Sequence, residues 1–339
     1  MGRIRLGVSR LSREFDDYRE WATLVDRSGF DLLGYGDSQA RWGDPYPVLG
    51  MTAAITERVT LGTFVSNAVT RHPAISANAI GTVQALSGGR AFFGIGVGES
   101  SLRDFGQRPP TPQLIEKYVS AVRDLLAGRS IEWEGQQHEM LFDLPHVPVW
   151  VAGDGPRTLQ LAGRIGDAAI VGNGATPELV RYALDQIRIG AESVGRDASE
   201  IDVWWMTRVM PAASEAEGFE ALRFYLASYA FTRYRNAPRS KGLEISDDIL
   251  QRLEGLRSEF RYAETLRPDL TFNADLVDKY GLREWLGRQF AITGPRELCI
   301  ERIREVADAG SVNIIMPQLL PDVVGTTREL AETILPAFQ

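Results

Sequence analysis

The chain has 339 residues, of which 44% are hydrophobic and 24% are charged, and its formal net charge is −8. This composition is typical of globular proteins, and the length is compatible with one α/β barrel. The acidic balance and the lack of a basic stretch argue against nucleic-acid binding. No segment approaches the roughly 20 apolar residues that span a bilayer, and the N-terminus lacks the apolar core of a signal peptide. We therefore expect a cytoplasmic protein without a nucleic-acid or membrane partner.

Short apolar segments alternate with longer amphipathic segments along the chain. Most apolar segments are nearly continuous, as expected for strands that are buried on both faces of a parallel sheet. The predicted strands are Ile4–Ser9, Leu32–Gly36, Val59–Val65, Ala91–Ile95, Val147–Val151, Ala168–Val171, Ile201–Val209 and Val312–Met316. The predicted helices are Asp16–Ser28, Tyr46–Thr56, Pro73–Leu86, Pro112–Ala127, Arg157–Arg164, Pro177–Val194 and Pro295–Ala309. Eight strands in this alternation favour a closed (β/α)8 TIM barrel over a doubly wound sheet.

The segment Pro211–Ala291, between the seventh and eighth predicted strands, breaks the alternation. Loops that follow barrel strands lie at the catalytic face, so a helical insertion here is suited to cover a substrate pocket. A role in packing subunits together fits equally well and is compatible with the first. We predict one domain, residues 1–339, with a helical insertion at about 211–291. The insertion is rich in arginine and in the aromatic residues Phe219, Phe224, Tyr225, Tyr229, Phe231, Tyr234, Phe260 and Tyr262.

Polar residues follow the second and third predicted strands. Asp37 and Ser38 end the second strand, and Trp42 offers a flat apolar wall for an aromatic ring. Near Ser66 and Asn67, backbone N–H groups at the end of the third strand would face the mouth of the barrel. An ordinary strand-to-helix loop explains the third-strand segment as well, so the pattern alone leaves both interpretations open.

Three alternate glycines occur at the fourth predicted strand: Gly94 lies within it, and Gly96 and Gly98 follow it. Their spacing differs from the dinucleotide fingerprint, which places the third glycine three positions after the second. Alternate glycines remove side chains from one face of a strand, so that a flat ligand or another backbone can approach closely. Glu99 comes directly after them and is a candidate general acid, although a solvated loop glutamate is equally compatible.

The loop after the fifth predicted strand has the features of an anion site. Gly153 and Gly155 expose backbone amides, and the start of the next helix attracts negative charge. Arg157 adds a side chain that can form charge-assisted hydrogen bonds to phosphate. We favour anion binding here over a glycine-rich turn without a ligand.

The chain contains one cysteine, Cys299, so it cannot form an intramolecular disulfide. The surrounding periodic segment predicts a buried thiol in a helix. The three histidines, His72, His138 and His146, lack the spacing of metal ligands, and no metal site is predicted.

Together these segments resemble the luciferase-like monooxygenase superfamily, and within it the F420-dependent methylenetetrahydromethanopterin reductases. The resemblance extends from residue 4 to about residue 195 and again over residues 292–317. It implies a TIM-barrel enzyme that binds a flavin or the deazaflavin F420 across the mouth of the barrel, and it implies a homodimer. Its most specific pieces are Gly36-Asp37-Ser38-Gln39, Leu61-Gly62-Thr63 with Ser66-Asn67, Thr70-Arg71-His72-Pro73, Ser87-Gly88-Gly89-Arg90, Gly94-Ile95-Gly96 with Gly98, Gly155-Pro156-Arg157, Ala162-Gly163 and Gly166-Asp167.

The resemblance also implies where the cofactor lies. A non-proline cis peptide in the third strand supports the ring system in this family, and the matching bond here is Phe64–Val65. The phosphate or ribityl chain would lie on the backbone after the fifth strand, and Asp37 would hydrogen-bond the ring or position its loop. The predicted cofactor-binding residues are Asp37, Phe64, Val65, Ser66, Asn67, Gly98, Ala152, Gly153, Asp154, Gly155, Pro156, Arg157, Gly172 and Asn173.

The chain is also similar to the F420-dependent sugar-phosphate dehydrogenases, with two departures. Trp42 and Glu99 match that family in spacing, but Ser38 stands where it has a catalytic histidine, and Ser9-Arg10 replace an acid after the first strand. A serine without a partner base is a poor acceptor for the proton of an alcohol, which argues against alcohol oxidation. The predicted catalytic residues are Glu99, Asp37, Trp42 and Ser38.

Several functions remain open. The favoured one is hydride transfer from reduced F420 to an electron-poor C=N, C=C or C=O bond of a small molecule, with Glu99 as proton donor. The alternative is oxygen activation at reduced FMN supplied by a reductase partner. The anionic tail of F420 requires a basic groove, which Arg71, Arg103 and Arg157 could line. A non-catalytic flavin-binding barrel, or a sugar-handling barrel that uses Asp37 and Glu99 as a carboxylate pair, is disfavoured.

Overall fold

The computed structural model describes residues 3–11, 15–233, 245–310, 312–318 and 322–339. Eight parallel strands pair in a ring, in the order β3-β2-β1-β13-β10-β9-β8-β5 and back to β3. The predicted closed barrel is therefore confirmed. The strands in chain order are β1 (Leu6–Arg10), β2 (Leu32–Tyr35), β3 (Thr60–Thr63), β4 (Ser66–Asn67), β5 (Ala91–Gly96), β6 (Ile131–Trp133), β7 (Gln136–His138), β8 (Val149–Ala152), β9 (Ala168–Val171), β10 (Asp202–Met206), β11 (Arg208–Pro211), β12 (Ala291–Gly294) and β13 (Asn313–Gln318).

Helices surround the barrel, and all seven predicted helices are present. Within the described ranges, no helix is both long enough and apolar enough to cross a bilayer. Several helices begin with proline, whose fixed φ suits the first turn. The helices are α1 (Tyr18–Ser28), α2 (Pro45–Ile55), α3 (Pro73–Leu86), α4 (Glu99–Asp104), α5 (Pro112–Leu126), α6 (Pro156–Ile165), α7 (Pro177–Glu192), α8 (Glu215–Ala221), α9 (Arg223–Arg233), α10 (Asp247–Glu259), α11 (Phe272–Lys279), α12 (Arg283–Phe290), α13 (Arg296–Asp308) and α14 (Val323–Thr333).

The interior of the barrel is filled by aromatic side chains. The rings of Phe92 and Trp150 stack with their centroids 4.0 Å apart, and Trp150 and Trp204 stack at 5.7 Å. Phe64 packs into the same cluster and is 8% exposed. The barrel is therefore a packed core, and a ligand has room only above it, at the ends of the strands.

Two predicted strands are interrupted in the structure. The third was predicted to run continuously to Val65, but β3 ends at Thr63, the Phe64–Val65 peptide is cis, and β4 resumes the pairing with β5. The seventh was predicted to run through to Val209, but β10 ends at Met206. Beyond it, β11 pairs with β12 in a separate two-stranded sheet. This pairing joins the two ends of the helical insertion.

The insertion between β10 and β13 is helical, as predicted, and its helices α8–α12 are called the insertion helices below. They have an apolar core of their own, which includes Leu222, Leu226, Leu253, Leu256 and Leu286. This second core is separate from the apolar cluster of the barrel. Of the aromatic residues noted in the sequence, Tyr234 lies outside the described residues.

Candidate active site

A cavity of about 830 Å³ lies at the carboxyl ends of the barrel strands, between them and the insertion helices. This is the face that carries the active site in TIM-barrel enzymes. The four predicted catalytic residues, Asp37, Ser38, Trp42 and Glu99, all line it. Most of the predicted cofactor-binding residues line it too, namely Asp37, Phe64, Val65, Gly98, Ala152, Gly153, Asp154, Gly155, Pro156, Arg157 and Gly172.

The other predicted cofactor-binding residues, Ser66, Asn67 and Asn173, are buried beside the cavity instead of lining it. The Asn67 carbonyl oxygen accepts hydrogen bonds from the amides of Val69 and Thr70, and its amide nitrogen donates to the hydroxyls of Thr70 and Ser101. This side chain holds the loop together and has no hydrogen-bonding capacity left for a ligand.

Asp37 is a buried carboxylate held by three side chains. Ser66 Oγ donates to one oxygen at 2.6 Å, Gln39 Nε2 donates to the other at 2.7 Å, and the Arg71 guanidinium lies 3.5 Å away. Burial raises the pKa of the Asp37 carboxyl, and the contacts with Ser66 and Arg71 oppose that rise. Asp37 is therefore a hydrogen-bond acceptor with a fixed position at the floor of the cavity. Ser66 helps to hold it there by donating its hydroxyl hydrogen bond.

Glu99 was predicted at the end of a strand, and the structure places it at the first residue of α4. Its carboxylate forms an ion pair with Arg103 at 3.1 Å. Proton donation would require Glu99 to be protonated and would break this pair. Glu99 is thus held beside a cation at the cavity, and its role as proton donor stays a prediction.

Ser38 is hydrogen-bonded to another serine instead of a base. Its hydroxyl shares a hydrogen bond of 2.8 Å with the hydroxyl of Ser100. Of the two residues that end the first strand, Ser9 lines the cavity, while Arg10 forms an ion pair with Asp17. Neither position supplies a general base to the cavity.

The loop between β8 and α6 forms an open recess at the start of a ten-residue helix. A Cβ atom added at Gly155 would meet nothing within 4 Å, so this position faces open space. The amides of Asp154 and Gly155 donate to Thr158 Oγ1 at 3.2 and 3.3 Å. The positive end of the helix and the exposed side chain of Arg157 are the features that remain to attract an anion.

The model of the luciferase-like monooxygenase family matches residues 2–312. The chain belongs to this family. This match covers most of the chain, including every barrel strand except β13. The resemblance inferred from the strand-end motifs is confirmed, and the chain is an enzyme of the luciferase-like family.

Among curated proteins, the chain is similar to a 5,10-methylenetetrahydromethanopterin reductase of Methanolobus tindarius, with 34% identity over 54% of this chain. The match spans 58% of that reductase, which is less than two thirds of its length. An F420-dependent glucose-6-phosphate dehydrogenase of Beutenbergia cavernae is 31% identical over 65% of this chain and 72% of its own length. The solved structure of the F420-dependent tetrahydromethanopterin reductase of Methanopyrus kandleri superposes with a TM-score of 0.81 at 21% identity, covering 100% of both chains, and shows the shared fold.

The insertion of this luciferase-like barrel supplies cavity residues that the sequence did not predict. Tyr262, Thr265 and Leu266 come from the segment after α10, and the other five, Tyr225, Ser228, Tyr229, Thr232 and Arg233, lie on α9. Their spacing of three and four residues is that of one helix face, so the pattern was present in the sequence. The sequence pattern does not indicate which face of α9 packs toward the barrel.

Charged residues around the cavity are mostly paired. Arg233 of α9 forms an ion pair with Asp154, and Arg41 pairs with Asp104. Of the three arginines predicted to line a basic groove, Arg157 lines the cavity. Arg71 and Arg103 do not line it and are engaged by acidic residues.

Cys299 is fully buried in α13, as predicted. Burial raises the pKa of its thiol to about 12, so the thiol is unreactive at neutral pH. Within the described part of the chain, no three His, Cys, Asp or Glu side chains lie close enough together to hold a metal ion.

Proposed function

We propose that this luciferase-like barrel is an F420-dependent oxidoreductase that acts on a small organic molecule. The observation that carries the proposal is the cavity, which joins an anion-attracting recess at α6 to the predicted catalytic residues at the ends of β2 and β5. Relatives that catalyse two different reactions, a tetrahydromethanopterin reductase and a glucose-6-phosphate dehydrogenase, are both named as F420-dependent enzymes. A common barrel explains why both relatives use the same cofactor, and a variable insertion explains why they act on different substrates.

The residues that line the cavity fit such a cofactor. The recess between Gly153 and Arg157 would hold its anionic part, because the start of α6 and a cation meet there. Phe64, Val65 and Ala152 form an apolar wall for a flat ring, and the carboxylate of Asp37 lies buried behind the cavity lining, where it holds Ser66 and Gln39. F420, when bound, supplies two-electron hydride chemistry.

Reduction of an electron-poor double bond fits this site better than oxidation of an alcohol. Alcohol oxidation needs a base that takes the hydroxyl proton. Ser38 stands at the position of the expected base, and its hydrogen-bonding partner is another serine hydroxyl. Glu99 is held by Arg103 at the side of the cavity and would act there as a charged group.

A fluorescence titration of the purified protein with F420, and in parallel with FMN, tests the proposal. Saturable binding of F420 and none of FMN is the expected outcome. Preference for FMN would instead support a monooxygenase that depends on a flavin reductase, and binding of neither would support a non-catalytic barrel. Size-exclusion chromatography of the same sample tests the homodimer that the family resemblance implies.

The recess at α6 can be tested by adding a negative charge. Gly155→Asp is expected to raise the dissociation constant for F420 about tenfold or more, or about 1.4 kcal/mol of binding free energy, through like-charge repulsion. The side chain has room, because nothing lies within 4 Å of its Cβ position. Gly155→Asn has nearly the same shape without the charge and serves as the control. If the two variants bound F420 with equal affinity, the anionic part of the cofactor would not lie in this recess.

A further inference from the structure

A buried cation lies directly behind the cavity wall. Arg208, the first residue of β11, is 1% exposed. One guanidinium nitrogen donates to the carbonyl oxygen of Pro317, a residue that lines the cavity. The Nε and second Nη atoms have no hydrogen-bonding partner among the described residues, and no carboxylate of those residues forms an ion pair with Arg208. Burial lowers the pKa of Arg208 to about 10, which leaves the guanidinium charged at neutral pH.

An unpaired buried charge is costly, because no counterion compensates for its lost hydration. Two arginines that line this cavity are neutralised by acidic residues, Arg41 by Asp104 and Arg233 by Asp154, whereas Arg157 is exposed to solvent. Arg208 differs from all three, because it is buried and none of the described carboxylates pairs with it. A cation without a counterion stabilises negative charge that forms nearby during a reaction.

Two tyrosines connect Arg208 to the cavity. Tyr225 and Tyr229 of α9 both line the cavity, and their ring centroids are 4.3 Å apart. The guanidinium carbon of Arg208 lies 5.8 Å from the centroid of the Tyr225 ring. The two hydroxyls interact, which lowers the pKa of Tyr225 and raises that of Tyr229, as expected when Tyr229 donates the hydrogen bond. Arg208 lowers the pKa of both tyrosines, but burial dominates and raises that of Tyr225 to about 12.

Both tyrosines are consequently protonated at neutral pH. A neutral phenol can donate a hydrogen bond to a substrate, and it can pass on its proton when a strongly basic atom forms next to it. Glu99, the predicted proton donor, is held in its ion pair with Arg103. The tyrosine pair is thus the better source of a proton in this cavity.

We propose that substrate binding turns the two hydroxyls, so that Tyr225 donates to Tyr229 and the Tyr229 hydroxyl, supported by the nearby charge of Arg208, donates to the carbonyl oxygen or imine nitrogen of the substrate and protonates it. This inference rests on the proposed F420-dependent reduction. In the step, hydride from the reduced cofactor forms the new C–H bond, and the π electrons of the C=O or C=N bond move to the heteroatom. The heteroatom takes the proton of Tyr229, and the tyrosinate that remains regains a proton from solvent.

The test uses reduced F420 with two probes, benzaldehyde as carbonyl substrate and 3,4-dihydroisoquinoline as imine. Turnover is followed by the return of F420 absorbance. Tyr229→Phe is expected to lower turnover by about 100-fold, the usual contribution of a general acid. Its dissociation constant for F420 is expected to stay within about twofold of the wild type, since the lost hydroxyl faces the substrate. Tyr225→Phe should lower turnover to a smaller extent.

The matched control is Tyr280→Phe, which also removes a tyrosine hydroxyl from the insertion helices but one that contacts Glu259 instead of the cavity. A second readout separates proton donation from a structural effect. The defect of Tyr229→Phe should shrink with trifluoroacetophenone, because its alkoxide is less basic and needs the proton less.

Three results would overturn the inference. One is a Tyr229→Phe variant as active as the Tyr280→Phe control. Another is a defect in Tyr229→Phe that is the same for benzaldehyde and trifluoroacetophenone. The third is a wild-type protein that binds F420 but reduces neither probe. Failure of the wild type to bind F420 is recorded in the separate titration, and it would refute the proposed function itself and, with it, this inference.

Discussion

At the scale of single residues, Glu99 can be tested by removing its charge. It lines the cavity, pairs with Arg103 at 3.1 Å and interacts electrostatically with Arg233. Glu99→Gln keeps the shape but leaves both arginines with less compensating charge beside the reacting groups. Turnover with reduced F420 should fall about tenfold, which corresponds to about 1.4 kcal/mol in the barrier. The dissociation constant for F420 should change much less.

The same assays on Glu259→Gln give the reference, because Glu259 pairs with Lys279 on the insertion helices, away from the cavity. Turnover of Glu99→Gln equal to that of Glu259→Gln would show that the charge of Glu99 has no part in the reaction. A large loss of F420 affinity without a change in turnover would assign Glu99 to cofactor binding instead.

Residues that follow barrel strands could be predicted from the sequence, and residues on α9 could not. Asp37, Trp42 and Glu99 were found because the carboxyl ends of parallel strands meet at one face of a barrel. Tyr229 reaches the same cavity because α9 packs across that face. This contact depends on long-range packing, which the local spacing of side chains does not encode.

At the scale of elements, helices α6 and α7 pack unusually closely through glycine. A Cβ atom at Gly163 would lie 2.0 Å from the carbonyl oxygen of Ile187, and one at Gly190 would lie 2.0 Å from that of Gln160. Gly163→Ala should therefore force the helices apart and lower the free energy of unfolding by about 1–3 kcal/mol, the usual effect of overpacking. Urea unfolding measures the change.

Gly50→Ala is the matched control, since Gly50 lies in α2 and a Cβ there meets nothing within 4 Å. That change should raise the free energy of unfolding by about 0.4–1 kcal/mol, because alanine loses less backbone entropy on folding. If Gly163→Ala were as stable as Gly50→Ala, the close packing of α6 against α7 would not be a constraint on this position.

The barrel elements were predictable because each combines a short apolar strand with a long amphipathic helix. The elements that were missed lack these signals. Helix α4 has six residues, and α14 contains Gly325, Thr326 and Thr327, which are weak helix formers. The apolar segment that contains β10 and β11 looks like one strand, and only the pairing of β11 with β12 divides it.

At the scale of the whole molecule, closure of the barrel and the place of the insertion in the chain were predictable, but the contacts that hold the insertion helices on the barrel were not. The insertion helices are seated by contacts between distant parts of the chain. Tyr262 lies under the guanidinium groups of Arg41 and Arg103, at 4.8 and 4.4 Å from its ring centroid. Cation–π contacts of this kind join residues about 160 to 220 positions apart and leave no local trace in the sequence.

The ion pair between Asp154 and Arg233 links the anion-attracting recess to the insertion helices. The other oxygen of Asp154 accepts a hydrogen bond from the amide of Gly172 at 3.0 Å. Asp154→Asn and Arg233→Gln should each lower the free energy of unfolding, because each leaves the other charge in a largely buried site without its partner.

The double variant should be more stable than the sum of the single changes implies, by about 1 kcal/mol, since neither charge is then left alone. Urea unfolding of the four proteins measures this coupling. A parallel cycle on the exposed pair of Arg188 and Glu192 in α7 should give negligible coupling, because solvent screens both charges. Additive effects of Asp154→Asn and Arg233→Gln would mean that the two charges do not hold the insertion to the barrel. Positive coupling would show that one ion pair both holds the insertion helices on the barrel and contributes to the charge of the recess.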